Sequence, residues 1–241
     1  MKNLTLTICL TLAVLLQQGC TTLEQSYRHG ADFNKGHAAY ESGDFATALR
    51  ELTPLAEQGD AGAQFFLGAM YYNGEGVPQD YKTAVKWYTL AAEQGDADAQ
   101  FNLGLMYANG QGVLQDYETA VEWYTLAAEQ GNASAQYNLG WMYHNGEGVL
   151  QNYKTAFKWY SLAAEQGHAT AQHNLGVMYH NGEGVLQDYV YAHMWWNIAA
   201  LNGDEDGGKW RDLVAEKMTP AQIEKAQQLA RECVRKEYKG C

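Results

Sequence analysis

Gln64, Gln100, Gln136 and Gln172 each follow an alanine, and each lies thirty-six residues beyond the last. Trp87, Trp123, Trp159 and Trp195 keep the same interval, as do Gly59, Gly95, Gly131, Gly167 and Gly203. A fixed period of this length defines a repeat architecture. Each copy is one small unit unable to bury its apolar face alone, and stacking the copies makes the core. Four full copies occupy 60–95, 96–131, 132–167 and 168–203.

Each copy predicts two helices. In the first copy Ala63, Leu67, Met70 and Tyr71 fall at i, i+4, i+7 and i+8, one apolar stripe. Asp60, Asp96, Asn132 and His168 stand at the N-cap, the histidine being the weakest acceptor of the four. "NGEGV" then breaks the helix, its glycines free to take positive φ. Asp80, Asp116, Asn152 and Asp188 cap the second helix, whose stripe is Tyr81, Ala84, Val85, Tyr88, Ala91 and Ala92. Gly68 and its equivalents sit in mid-helix at a cost of about 1 kcal/mol against alanine, tolerable where a neighbouring helix packs on the bare backbone. The Trp87 and Tyr71 columns recur at helical spacing and are expected in the core. Residues 35–59 read as a divergent first helix pair, with Pro54 bending its second helix. Residues 204–241 read as cap helices and tail. There Thr219 and Gln222 form a capping box, Pro220 takes the first helical position, and Ile223, Ala226, Ala230, Cys233 and Val234 face inward.

The stretch "LAEQGDAGAQFFLGAMYYNGEGVPQDYKTAVKWYTLAAEQG" resembles the Sel-one-like repeat, a relative of the tetratricopeptide repeat, and the likeness covers about residues 35–235. The resemblance implies an all-α fold: a right-handed α-solenoid of antiparallel helix pairs with a C-terminal capping helix. It also implies an adaptor that gathers or presents other proteins in bacterial envelope, signalling or host-interaction settings. Family members with a cysteine pair in every repeat have been described as penicillin-binding or β-lactamase-like, and this chain has no such pairs.

Residues 1–19 read as a secretory signal, with Lys2 in a short positive region and an apolar run over 4–16 too short to span a bilayer. Gly19-Cys20 resembles the end of a bacterial lipobox, with Cys20 acylated, although Gln17 and Gln18 depart from the pattern. The alternative is an ordinary cleaved signal, yet no small-x-small cleavage site lies nearby. By resemblance to enterobacterial sorting, Thr21 directs such a protein to the outer membrane. Residues 20–34 would be a tether, and the lipid would be the only membrane contact. Loss of residues 1–19 removes one lysine and no acid, leaving 15 basic against 28 acidic residues. Such a chain does not bind nucleic acid through its phosphates. Cys233 and Cys241 are able to pair in an oxidising compartment, or else remain free thiols on a frayed tail.

No nucleophile–base pattern such as SxxK, GxSxG or HExxH occurs, so the chain is expected to be non-enzymatic and without cofactor. An envelope enzyme or accessory factor acting on peptidoglycan or β-lactams is the alternative. His144, His173 and His180 fall on aligned helix faces, but no carboxylate or thiol completes a second shell, so no metal is expected. Asn102, Asn138 and Asn174 form a ladder beside the buried stripe. In tetratricopeptide proteins a similar ladder grips an extended ligand, whereas here it is part of the repeat pattern and equally suits a structural role.

Positions 5, 9 and 12 of each first helix point away from the stripe, onto an expected inner wall. They read Phe65, Ala69 and Tyr72; Phe101, Leu105 and Ala108; Tyr137, Trp141 and His144; His173, Val177 and His180. Two readings stand: a concave groove for a protein or peptide segment, or rings buried between tightly stacked helices. Trp141 is the largest member, at a position where the neighbouring copies carry Leu105 and Val177. A wall so rich in exposed rings favours a ligand groove.

Overall fold

The computed structural model describes residues 31–241. The expected signal segment and Cys20 lie outside the described residues, as does the tether up to Gly30. Twelve α-helices and no strand are found among the described residues. The chain divides into two compact units, one ending at Leu90 and the other beginning at Ala91.

The first unit holds α1 (Phe33–Glu41), α2 (Phe45–Glu57), α3 (Ala61–Asn73) and most of α4 (Tyr81–Glu93). Helix α1 begins two residues ahead of the expected pair, because the Asp32 carboxylate caps it at the Lys35 N–H and Phe33 packs on the core. Helix α2 runs on through Pro54 to Glu57. Ala39, Ala48, Leu52, Ala56, Ala63, Leu67 and Met70 close the core of this unit.

The second unit continues the pattern with α5 (Ala97–Asn109), α6 (Tyr117–Glu129), α7 (Ala133–Asn145), α8 (Tyr153–Ala164), α9 (Ala169–Asn181) and α10 (Tyr189–Leu201). Helices α11 (Gly207–Ala215) and α12 (Pro220–Arg235) end it. From α5 to α11 each helix packs on the next, and α12 packs on α10. The caps follow the sequence: Asp96, Asn132 and His168 accept from the third N–H of their helices, the histidine through Nδ1. Gly110, Gly146 and Gly182 take φ of 68°, 75° and 74° where the first helices stop.

Two sequence positions hold the helices together, one within a copy and one between copies. A Cβ on Gly68, Gly104 or Gly140 would come within 2.6–2.7 Å of the ring of Tyr88, Tyr124 or Tyr160, and on Gly176 within 2.6 Å of Trp196. The mid-helix glycines therefore exist to let the second helix of the same copy press a ring onto bare backbone. The buried glutamines stitch one copy to the last. Nε2 of Gln100, Gln136 and Gln172 donates to the carbonyls of Ala92, Ala128 and Ala164 at 3.1 Å. Their Oε1 atoms accept from Gln130, Gln166 and Asn202 at 2.8 Å.

Three expectations are corrected. Of the tryptophan column only Trp195 is buried, at 4% exposure; Trp87, Trp123 and Trp159 are half-buried, as is the Tyr71 column. The core ring is one residue further on, in Tyr88, Tyr124, Tyr160 and Trp196, because that position faces the glycine. Val234 does not face inward but is 39% exposed, and Leu229 packs on the core from the other edge of α12.

Candidate functional site

Helices α5, α7 and α9 set the position-5 rings against the second helices. Phe101 lies 6.0 Å from Tyr124, Tyr137 lies 5.9 Å from Tyr160, and His173 lies 6.3 Å from Trp196, centroid to centroid. In the first unit Phe65 lies 5.9 Å from Tyr88, and Tyr72 lies 5.3 Å from Tyr81. Phe65, Phe101, Tyr137, His173, Tyr72 and Tyr81 are half-buried. For position 5 the helices are thus tight enough to cover the rings.

Position 9 is different. Trp141 is 39% exposed and separates two cavities, of about 230 Å³ and 170 Å³. Leu105, Ala108, Asn109, Tyr124, Asn138 and Trp141 line the first. The second is lined by Trp141, His144, Asn145, Tyr160, Asn174 and Val177, which are those six positions shifted by one repeat. One cavity is therefore built twice, and the indole forms a wall of each.

Tyr124 and Tyr160 give each cavity its buried edge. Burial pushes both hydroxyls above the ordinary tyrosine value, opposed by the side-chain hydrogen bonds of Asn138 to Tyr124 and of Asn174 to Tyr160. Asn174 also bonds Tyr137, whose hydroxyl is likewise raised by burial. The asparagine ladder thus anchors tyrosines at the cavity walls, and Asn102 is half-buried on α5. Gln115 and Gln151 donate to the carbonyls of Ala108 and His144 at 2.8 Å, closing the ends of α5 and α7. Asn145 donates to the Trp141 carbonyl at 2.9 Å.

The histidines do not converge. His144 Nε2 pairs with Glu183 at 2.9 Å, His173 Nδ1 pairs with Asp204, and His180 meets Asn181 and Lys217. Among the described residues no three histidine, cysteine or acidic side chains gather to hold a metal. Cys233 and Cys241 are disulfide-bonded, with Cα atoms 5.5 Å apart. No described helix is long and apolar enough to cross a membrane.

Two features went unread in the sequence. Leu114, Leu150 and Leu186 stand one repeat apart in the loops, each 91% exposed. Trp210 occupies the place that would follow Asn174 in a fifth copy, and it stacks on Trp196 at 5.8 Å.

Stacked antiparallel helix pairs with one cavity repeated along their first helices define a helical-repeat scaffold. The four copies match the Sel1 repeat over residues 61–96, 97–132, 133–168 and 169–204, and the chain belongs to the Sel1 repeat family. A Sel1 repeat protein from Oxalobacter formigenes is 33% identical, with 85% of each chain covered and a TM-score of 0.72. A protective antigen present in uropathogenic Escherichia coli strains, displaying the SLR fold, is 46% identical over 65% of this chain, with a TM-score of 0.63. The chain spans 33% of that protein's length. No curated protein matches the chain.

Proposed function

We propose that this Sel1 repeat scaffold is a non-enzymatic adaptor of the bacterial envelope, and that the face around Trp141 binds an extended segment of a protein partner. The observation that carries the reading is the doubled cavity about an exposed indole. Two equivalent hollows one repeat apart suit two side chains of one extended segment, and a large aromatic between them supplies the apolar contact that dominates interfaces. Asn138 and Asn174 add polar edges that fix register.

Export is supported by the signal-like residues 1–19, by the lipobox-like Cys20 and by the bonded Cys233 and Cys241, since disulfides persist in oxidising compartments. The similarity to a protective antigen agrees with it. Acylated Cys20 would hold the chain at the outer membrane, facing the periplasm or the cell surface. Among the described residues nothing favours the alternative of a peptidoglycan- or β-lactam-directed enzyme.

A photo-crosslinking amino acid placed at position 141 in intact cells tests the reading. It should join one partner protein, whereas the same probe at exposed Lys158 on α8 should not. Equal yields from both positions would refute a specific site.

A further inference from the structure

A further cavity of the second unit lies away from Trp141. It measures about 590 Å³ and opens between α10 and α12, within the size range of small-molecule sites. Its exposed apolar surface comes from Leu201 and Val234, 68% and 39% exposed, above the buried Ala230. Arg231 and Arg235, one helical turn apart, stand in the lining. Neither guanidinium has a carboxylate within 4.0 Å among the described residues. Glu232 also lines the cavity, with its Oε1 held by Gln228 Nε2 at 2.9 Å.

The charge is out of keeping with the rest of the molecule. The chain carries a net charge of −12, yet residues 220–241 hold five basic residues against three acidic ones. Two unpaired arginines beside an apolar trough form a site for a ligand with one anionic end and one apolar body. Arginine recognises a carboxylate or phosphate through its planar fork, while its stem covers apolar surface.

We propose that the groove between α10 and α12 binds a single-chain anionic amphiphile, with the acyl chain along Leu201, Ala230 and Val234 and the acidic head at Arg231 and Arg235. This site is independent of the Trp141 face. Burying a methylene completely tightens binding about fourfold, so an open groove that covers one side of the chain gives about twofold per methylene.

Calorimetric titration of the Cys20→Ser chain, purified with its disulfide intact, tests this with decanoate, laurate and myristate as probes. Affinity should rise about fourfold for each two-carbon step. The double variant Arg231→Gln, Arg235→Gln should weaken laurate about tenfold or more and leave neutral 1-dodecanol unchanged. Leu201→Asp should weaken both, and circular dichroism should show each variant folded. Affinity indifferent to chain length, or to both sets of substitutions, would overturn the proposal. So would tighter binding of an acidic peptide than of laurate, which would give the groove to a protein partner.

Discussion

Gly140→Ala isolates the close approach on which the stacking depends. The added methyl would lie 2.7 Å, 2.9 Å and 3.2 Å from three atoms of the Tyr160 ring. That ring is 1% exposed, lies against Tyr137 and is bonded by Asn174, so it has nowhere to retreat. Two effects compete. Alanine in mid-helix gains about 1 kcal/mol over glycine. Overpacking a close-set core costs about 1–3 kcal/mol, and loss of the Asn174 bond adds about 1 kcal/mol. The clash wins, and the variant should be about 1–3 kcal/mol less stable by urea denaturation. In a Tyr160→Ala background the obstacle is gone and the same substitution should stabilise by about 1 kcal/mol. The double-mutant cycle should therefore show at least about 2 kcal/mol of coupling and a change of sign. If Gly140→Ala stabilises the native chain, or the two substitutions are additive, the glycine is not there for the ring.

Gln136→Leu removes the bonds to Ala128 and from Gln166, while both of those groups keep a second partner; about 1–2 kcal/mol should be lost in the same denaturation assay. His168 caps α9 through a neutral Nδ1, and burial depresses its proton affinity below the ordinary value of 6.5. Between its folded value and 6.5 the unfolded chain binds more protons, so its contribution to stability falls as pH is lowered through that window. Denaturation of His168→Asn at pH 7.5 and 5.5 should show the variant gaining on the native chain at the lower pH, and an unchanged difference would contradict the capping role. Cys20→Ser should release the protein from the outer membrane without altering its helicity, as read by fractionation and circular dichroism. A mutant still sedimenting with that membrane would end the lipoprotein reading.

The repeat, the caps and the two stripes were legible because they depend on spacing and on short-range hydrogen bonding. The burial of the tryptophan column was not. Position 87 and position 88 both lie near the stripe, and only the facing glycine decides that Tyr88 closes the core while Trp87 stays half-buried. The glutamine column was visible as a period, but its bonds reach back to the preceding copy and across to the far end of its own, and no local pattern states their partners. Trp141 stood out by its contrast with Leu105 and Val177, whereas each of the two cavities beside it draws the same six repeat positions from three helices. The groove on α12 lay hidden for a similar reason, since Leu201 and Val234 meet only when α10 and α12 pack.

The central claim is that the Trp141 face binds and does not merely pack. Its most direct test compares Trp141→Ala with Trp195→Ala in affinity for a partner segment first identified by crosslinking from position 141. Trp141 is 39% exposed, so its truncation should leave the unfolding midpoint nearly unchanged while weakening the segment by about 2 kcal/mol, roughly thirtyfold in Kd. Trp195 is 4% exposed, so its truncation should cost about 3 kcal/mol of stability and spare the affinity of the folded fraction. Trp141→Ala that unfolds the chain, or that binds the segment as tightly as the native protein, would contradict the account.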